Sequence, residues 1–307
     1  FAQAGRGCAL LAKLPAAVLS DEAVAAQVEA MLRAAADSHR AEDVRTAAFA
    51  VLAETAGARA HLVAAQVGQL LAQDGAEDNS VVLKGVLAVA RCASRVLGPV
   101  LEGLTTLVLA HWVACGTQHK TLLSVWQDTA AALAGCPSSG EVDALADRVV
   151  RRVVEQLVQH VAPALQVARA CRAVVRGLIQ AASTDAQKTL FAWLAQQKGC
   201  GFQDSAVFLA AVSSLKPAVV AEHLPALLAQ LVQQRDRLIS EGESKDEAKD
   251  EQRTASAVAI ASVVNKAMSV AAEQHVTALE DVLKQAVAHK DALLVAWLCR
   301  ACLVWPA

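Results

Sequence analysis

Two cysteines three positions apart, Cys299 and Cys302 in "CRAC", are the one pair in this 307-residue chain with the spacing of metal ligands. On a helix that spacing puts both thiols on roughly one face. A structural zinc or an iron–sulfur cluster takes four ligands as a rule. There is no second CxxC, and the nearest histidine, His289, lies ten positions upstream. The pair therefore reads as two core thiols in an apolar helix.

Other candidates fail in similar ways. "GRGCAL" (5–10) is a faint echo of a phosphate-cradling loop, but no strand precedes it. No Ser sits in a G-x-S-x-G elbow. Asp143 and Asp147 share one helix face, where a general acid–base pair would need a cleft instead of a wet surface. His61, His111, His160 and His223 stand alone in the sequence and read as cap or interface groups. The chain is expected to be no enzyme, with no catalytic residue, no cofactor and no metal.

The arginines offer more. Arg148, Arg151 and Arg152 lie on one predicted helix. Arg169, Arg172 and Arg176 recur at three- and four-residue steps on the next, so they share a face. Helices that follow one another in a stack are neighbours, so the six form a candidate basic patch, partly neutralised by Asp147 and Glu155. It is either a solvated face or a site for an anion or acidic partner. Six charges on a chain of net charge −2 make a weak case for a phosphate backbone.

The elements that carry these residues are helices. Hydrophobic residues make up 55% of the chain, aromatics only 3%, and Tyr is absent. Ala, Val and Leu must fill the core, and Ala and Leu favour helix. A 3.6-residue apolar period runs almost throughout, with no sustained two-residue alternation and no Asn-Gly hairpin. The predicted helices span 2–14, 21–38, 41–56, 59–73, 79–94, 97–114, 119–135, 140–160, 163–182, 184–197, 204–215, 217–239, 253–268, 272–288 and 290–305. Pro15, Pro99, Pro137, Pro163, Pro217 and Pro225 are expected mostly at turns or in first helical turns, where a missing N–H is tolerated. The longest uncharged stretch, near 103–118, is too short and too polar to span a bilayer. The eight cysteines mostly fall inside apolar helical patterns, as reduced, buried thiols do. The chain starts at Phe1, without a leader-like segment, and is expected to begin within a longer protein.

A pattern recurs under the composition. One helix closes in small residues, a short break follows, and a second helix carries spaced Leu and Val. It starts near Leu11, Leu52, Val89, Leu133, Leu178, Val212 and Val263, at intervals of about 34 to 51 residues, around the range of two-helix HEAT and armadillo units. The expected fold is all-α, a HEAT/armadillo-type α-solenoid of about seven two-helix repeats. Repeats are expected over 1–239 and 253–307, separated by a charged insert at 240–252, "SEGESKDEAKDEQ", with no apolar face to bury. "AEDVRTAAFAVLAETAG" (41–57) is the clearest unit. Its Asp43, Arg45, Ala47 and Ala48 resemble the first helix of a HEAT repeat, a family in which such Asp and Arg residues form ladders between neighbouring repeats.

The final fifty residues carry a narrower likeness. "RTASAVAIASVVNKAMS", then "ALEDVLKQAV", then "LLVAWLCRACLVWPA", resemble the later repeats of the HEAT adaptor of the cytosolic iron–sulfur protein assembly targeting complex. The shared features are the Ala-rich helix ending in Val264, Asn265 and Lys266, and the helix with Trp297, Arg300, Ala301 and Leu303; Cys299 and Cys302 depart from the pattern. The resemblance implies a non-catalytic scaffold that brings apo-clients, such as DNA-repair helicases and polymerases, to cluster assembly. It also implies partners among the other subunits of that complex, and action in cytoplasm and nucleus, with no membrane and no direct nucleic acid. Another HEAT scaffold is the alternative: a nuclear transport receptor, or a phosphatase or microtubule-regulator scaffold.

Overall fold

The structure, a computed structural model, describes residues 20–37, 39–72, 75–113, 119–159, 164–197 and 206–224, with seven single positions between 277 and 295. Among these residues there are helices and no strand. They are α1 (Asp21–Ala36), α2 (Glu42–Leu71), a 3-10 turn (Ala76–Asp78), α3 (Ser80–Cys92), α4 (Ser94–Ala110), α5 (Lys120–Ala134), α6 (Gly140–Gln159), α7 (Leu165–Ala181), α8 (Thr184–Leu194), α9 (Ala206–Ser214) and α10 (Pro217–Glu222). The chain divides into two compact units, 1–181 and 182–307.

Short polar side chains start several of these helices. Ser20 accepts from the Ala23 N–H, Asn79 from Val82, Ser139 from Val142 and Ser183 from Ala186, each at 3.3 Å. Each satisfies one amide that the helix itself leaves without a partner. In α1 the charges also suit the dipole, with Asp21 and Glu22 in the first turn and Arg33 in the last.

Two local details differ from the sequence reading. The helices expected at 41–56 and 59–73 run together as α2, and the break is a single residue, Arg59, at φ −139° and ψ 63°. A kink replaces a loop because Arg59 is anchored: its guanidinium is buried and reaches Asp21 Oδ1 at 2.5 Å. Helix α4 begins at Ser94, three residues before the expected 97, so Pro99 falls inside the helix and not in its first turn.

In unit 1, α3, α5 and α7 form one row of neighbours and α4 and α6 a second. The first half of α2 meets α3 where Phe49 covers Gly85, and the second half meets α4 where Leu71 covers Gly103. With the first half of α2 extending it, the first row has members that begin at residues 42, 80, 120 and 165. The core between the rows is aliphatic, including Leu83, Val86, Leu101, Leu104, Leu122, Val149, Val153, Val174 and Leu178, with Trp126 the largest fully buried side chain. Where helices come closest, a side chain is missing. A Cβ on Gly177 of α7 would stand 2.9 Å from the backbone oxygen of Ala130 in α5.

Buried polar side chains pin the helix ends. Arg45, 8% exposed, donates from Nε to the Ala35 carbonyl at 2.9 Å and from Nη2 to Asn79 Oδ1 at 2.6 Å. It thereby joins the end of α1 to the residue that caps α3. The Asp-x-Arg motif read from sequence thus bridges to the next helix pair through Arg45, while Asp43 caps its own neighbour, Val44 N–H, at 2.8 Å. In unit 2, buried Gln187 of α8 donates to the Ala182 carbonyl at 3.1 Å and accepts from the Lys216 N–H at 2.8 Å, just before α10.

The insert at 240–252, the "CRAC" pair and the segment 253–276 lie outside the described residues.

Candidate partner-binding surface

The six arginines singled out in the sequence divide into two kinds. Those of α6 are already engaged. Arg148 Nε donates to Glu102 Oε1 of α4 at 2.8 Å. Arg151 Nε holds both carboxylate oxygens of Asp147, one turn back, at 2.8 Å. Arg152 donates to Thr106 Oγ1 of α4 at 3.3 Å. Arg148 and Arg152 thus clamp α6 to α4, with Glu102 and Thr106 as the acceptors. The Arg148–Glu102 pair is exposed, so it contributes about 1 kcal/mol or less.

Arg169, Arg172 and Arg176 of α7 are exposed and form no ion pair or hydrogen bond among the described residues. Helix α7 contains no Asp or Glu. Its opposite face, with Val167, Ala170, Cys171, Val174, Val175, Leu178 and Ile179, is buried. That division fixes where the arginines point: a helix that buries one stripe so completely presents the other outward. Among the described residues no hydrogen bond or ion pair joins the α6 arginines to α7.

The histidines hold a constellation that the sequence reading missed. His111, at the end of α4, has Nε2 3.5 Å from Glu77 Oε1. Buried His119, before α5, has Nδ1 2.9 Å from Asp78 Oδ1. Despite that distance, His119 Nδ1 makes no hydrogen bond. The two rings lie 5.2 Å apart. The available signal was two histidines eight residues apart, flanking a helix break. Among the described residues no group of three or more His, Cys, Asp or Glu is arranged to hold a metal ion.

His61 reaches Asp21 at 3.3 Å. His223 packs on the Phe191 ring, with centroids 4.7 Å apart. Burial pushes its imidazole below the ordinary histidine range, against the opposing pull of Glu222. Glu222 itself pairs with Lys188 at 2.6 Å, and that bond raises the Lys188 ammonium above its usual value. Cys171 is buried, as expected of a core thiol, but Cys92 is exposed and Cys136 half-buried. Both sit at helix ends where packing is incomplete.

Two clefts open on the surface of unit 1. One, of about 440 Å³, lies between α1 and the second half of α2, beside Glu29, Arg33, Asp37, Gln66 and Gln69. The backbone N–H of His39 holds the Asp37 carboxyl below its ordinary value, with Arg40 adding to the effect. A carboxylate so held stays ionised and is unsuited to giving up a proton near neutrality. The other cleft, of about 500 Å³, lies between α4 and the start of α6, beside Arg95, Pro99, Glu102, Leu145 and Arg148. Asp143 and Asp147 are on α6, and Asp147 is committed to Arg151. Among the described residues no helix is long and apolar enough to cross a membrane.

No protein-family model matches this chain, and no curated protein matches it.

Proposed function

We propose that this chain is a non-catalytic binding scaffold, an α-solenoid of about seven HEAT- or armadillo-type helix pairs. One observation carries the reading. In unit 1 two rows of helices pack side by side: α2 meets α3, α3 meets α5 and α5 meets α7 in one, α4 meets α6 in the other, and α3 meets α4 and α6 meets α7 across them, with first-row starts at 42, 80, 120 and 165. Units of this kind bury an apolar face only by stacking, and the resulting array offers extended surface. Small residues serve the stacking: a Cβ at Gly85, Gly103 or Gly177 would meet Phe49, Leu71 or Ala130 of a neighbouring helix.

Within that class we place the chain among adaptors that deliver apo-client proteins, DNA helicases and polymerases included, to cytosolic iron–sulfur cluster assembly, acting in cytoplasm and nucleus. The support is the sequence likeness of 253–305 given above. Tagged full-length chain, purified from cells with its partners identified by mass spectrometry, tests the assignment. Recovery of a β-propeller subunit, an assembly factor and iron–sulfur helicases is the expected outcome. Recovery of a small GTPase and nucleoporins instead makes it a transport receptor.

A further inference from the structure

We propose that the outward face of α7 is a docking site for an acidic segment of a partner protein, and that Arg169, Arg172 and Arg176 are the residues that hold it. The inference rests on the scaffold reading and names the chemistry of one of its surfaces. Its first support is the contrast between two adjacent helices. Every α6 arginine of the six has a partner in the fold: Glu102, Asp147 or Thr106. The three on α7 have none among the described residues, on a helix without a single acid. Guanidinium groups are held in bulk water at little gain, but like charges at three- and four-residue steps on a helix repel one another and destabilise it. The helix dipole gives no compensation, since a cation is favoured in the last turn and α7 has no basic residue there. The fold therefore supplies no reason for this arrangement, and a ligand supplies one.

Geometry and charge select the ligand. Seven residues separate Arg169 from Arg176, which on a helix is a rise of about 10 Å. The rest of the exposed face is Leu165, Gln166, Ala173 and Gln180, all neutral, with Leu165 adding an apolar contact one turn before Arg169. A partner helix with carboxylates at the same three- and four-residue steps matches the row in register, each carboxylate accepting from one guanidinium. The chain as a whole carries a net charge of −2, so three unopposed positive charges are a local reversal of sign that steers an acidic partner to this face. The face has no aromatic side chain on which bases stack, which favours protein over single-stranded nucleic acid.

Fluorescence anisotropy with full-length chain tests the assignment. The probe is a labelled, Ala-based peptide of about 20 residues, long enough to form helix, with Glu at alternating three- and four-residue steps. The wild-type chain is expected to bind it with an affinity that falls as salt rises. The combined change Arg169→Ala, Arg172→Ala and Arg176→Ala weakens binding by about tenfold or more. Arg148→Ala with Arg152→Ala shifts it by less than about twofold, because those side chains face α4. The same peptide with Gln for Glu does not bind. Absence of wild-type binding, equal binding by the α7 variant, or an equal loss in the α6 variant overturns the proposal. So does a DNA duplex that displaces the peptide at lower concentration, which would make the face a nucleic-acid site. Unchanged helical circular dichroism in both variants ensures that a loss reports the face and not the fold. Failure here leaves the scaffold reading standing, since partner recovery tests that separately.

Discussion

At the scale of single residues, a few buried polar groups do what the small aliphatic core cannot: they fix register. Arg45 is the strongest case, because one guanidinium serves two acceptors on different helices. Arg45→Ala leaves the Ala35 carbonyl and the Asn79 side chain short of a donor. The expected loss, read from urea unfolding, is about 2–3 kcal/mol. Arg45→Lys recovers only part of it, since an ammonium is a point donor without the fork. Trp126 makes a parallel case. Its indole N–H donates to Thr105 Oγ1 at 3.0 Å in a fully buried site. Thr105→Val keeps the shape and removes the acceptor, and is expected to cost about 1–3 kcal/mol. His223 gives a pH signature. Its folded value lies below its unfolded value, so the neutral ring is preferred in the fold. Stability is complete above the unfolded histidine value and falls as acid charges the ring. His223→Gln should flatten the unfolding midpoint between pH 7 and pH 5 relative to wild type; equal slopes for the two proteins would contradict the assignment. Sequence showed Arg45 as a family-like motif but not its acceptors. It showed six arginines and Asp147 beside Arg151, but not that Arg148 and Arg152 are spent, because Glu102 and Thr106 lie 46 positions from them.

At the scale of helices, boundaries were legible where their causes are local. The cap residues Ser20, Asn79 and Ser183 and the apolar period place α1, α3 and α8 within a few residues of the sequence reading. The misreadings have tertiary causes. A turn was expected near 57–58, but Arg59 tied to Asp21 lets two helices join at a kink. Pro99 suggested a helix start, yet packing against neighbours carries α4 through it from Ser94. The apolar period does not mark the three glycines that lie against neighbouring helices, Gly85 at Phe49, Gly103 at Leu71 and Gly177 at Ala130. Gly177→Leu drives a side chain into the Ala130 backbone, which cannot swing aside as a side chain would. The expected cost is about 3 kcal/mol or more, with Gly177→Ala less, both measured by thermal unfolding. At Gly85 the obstacle is the Phe49 ring, so Phe49→Leu should partly rescue Gly85→Ala, and no rescue would remove Phe49 as the cause.

At the scale of the molecule, the all-α class was legible from composition and period together, because no segment offers the alternation a strand needs. What sequence left open was which faces stay free, since that depends on pairing between residues far apart in the chain. The function proposed here follows from the stack: surface recognition by a row of helices, with chemistry left to partners. Pulsed electron–electron resonance within unit 1 tests that stack most directly. Spin labels placed pairwise at the exposed positions Ala88 of α3, Ala131 of α5 and Ala173 of α7 report the order of the row. Neighbouring helix axes lie about 8–10 Å apart. The account predicts an α3–α7 separation roughly twice that of α3–α5 and α5–α7; three equal separations, as in a closed bundle, would contradict it.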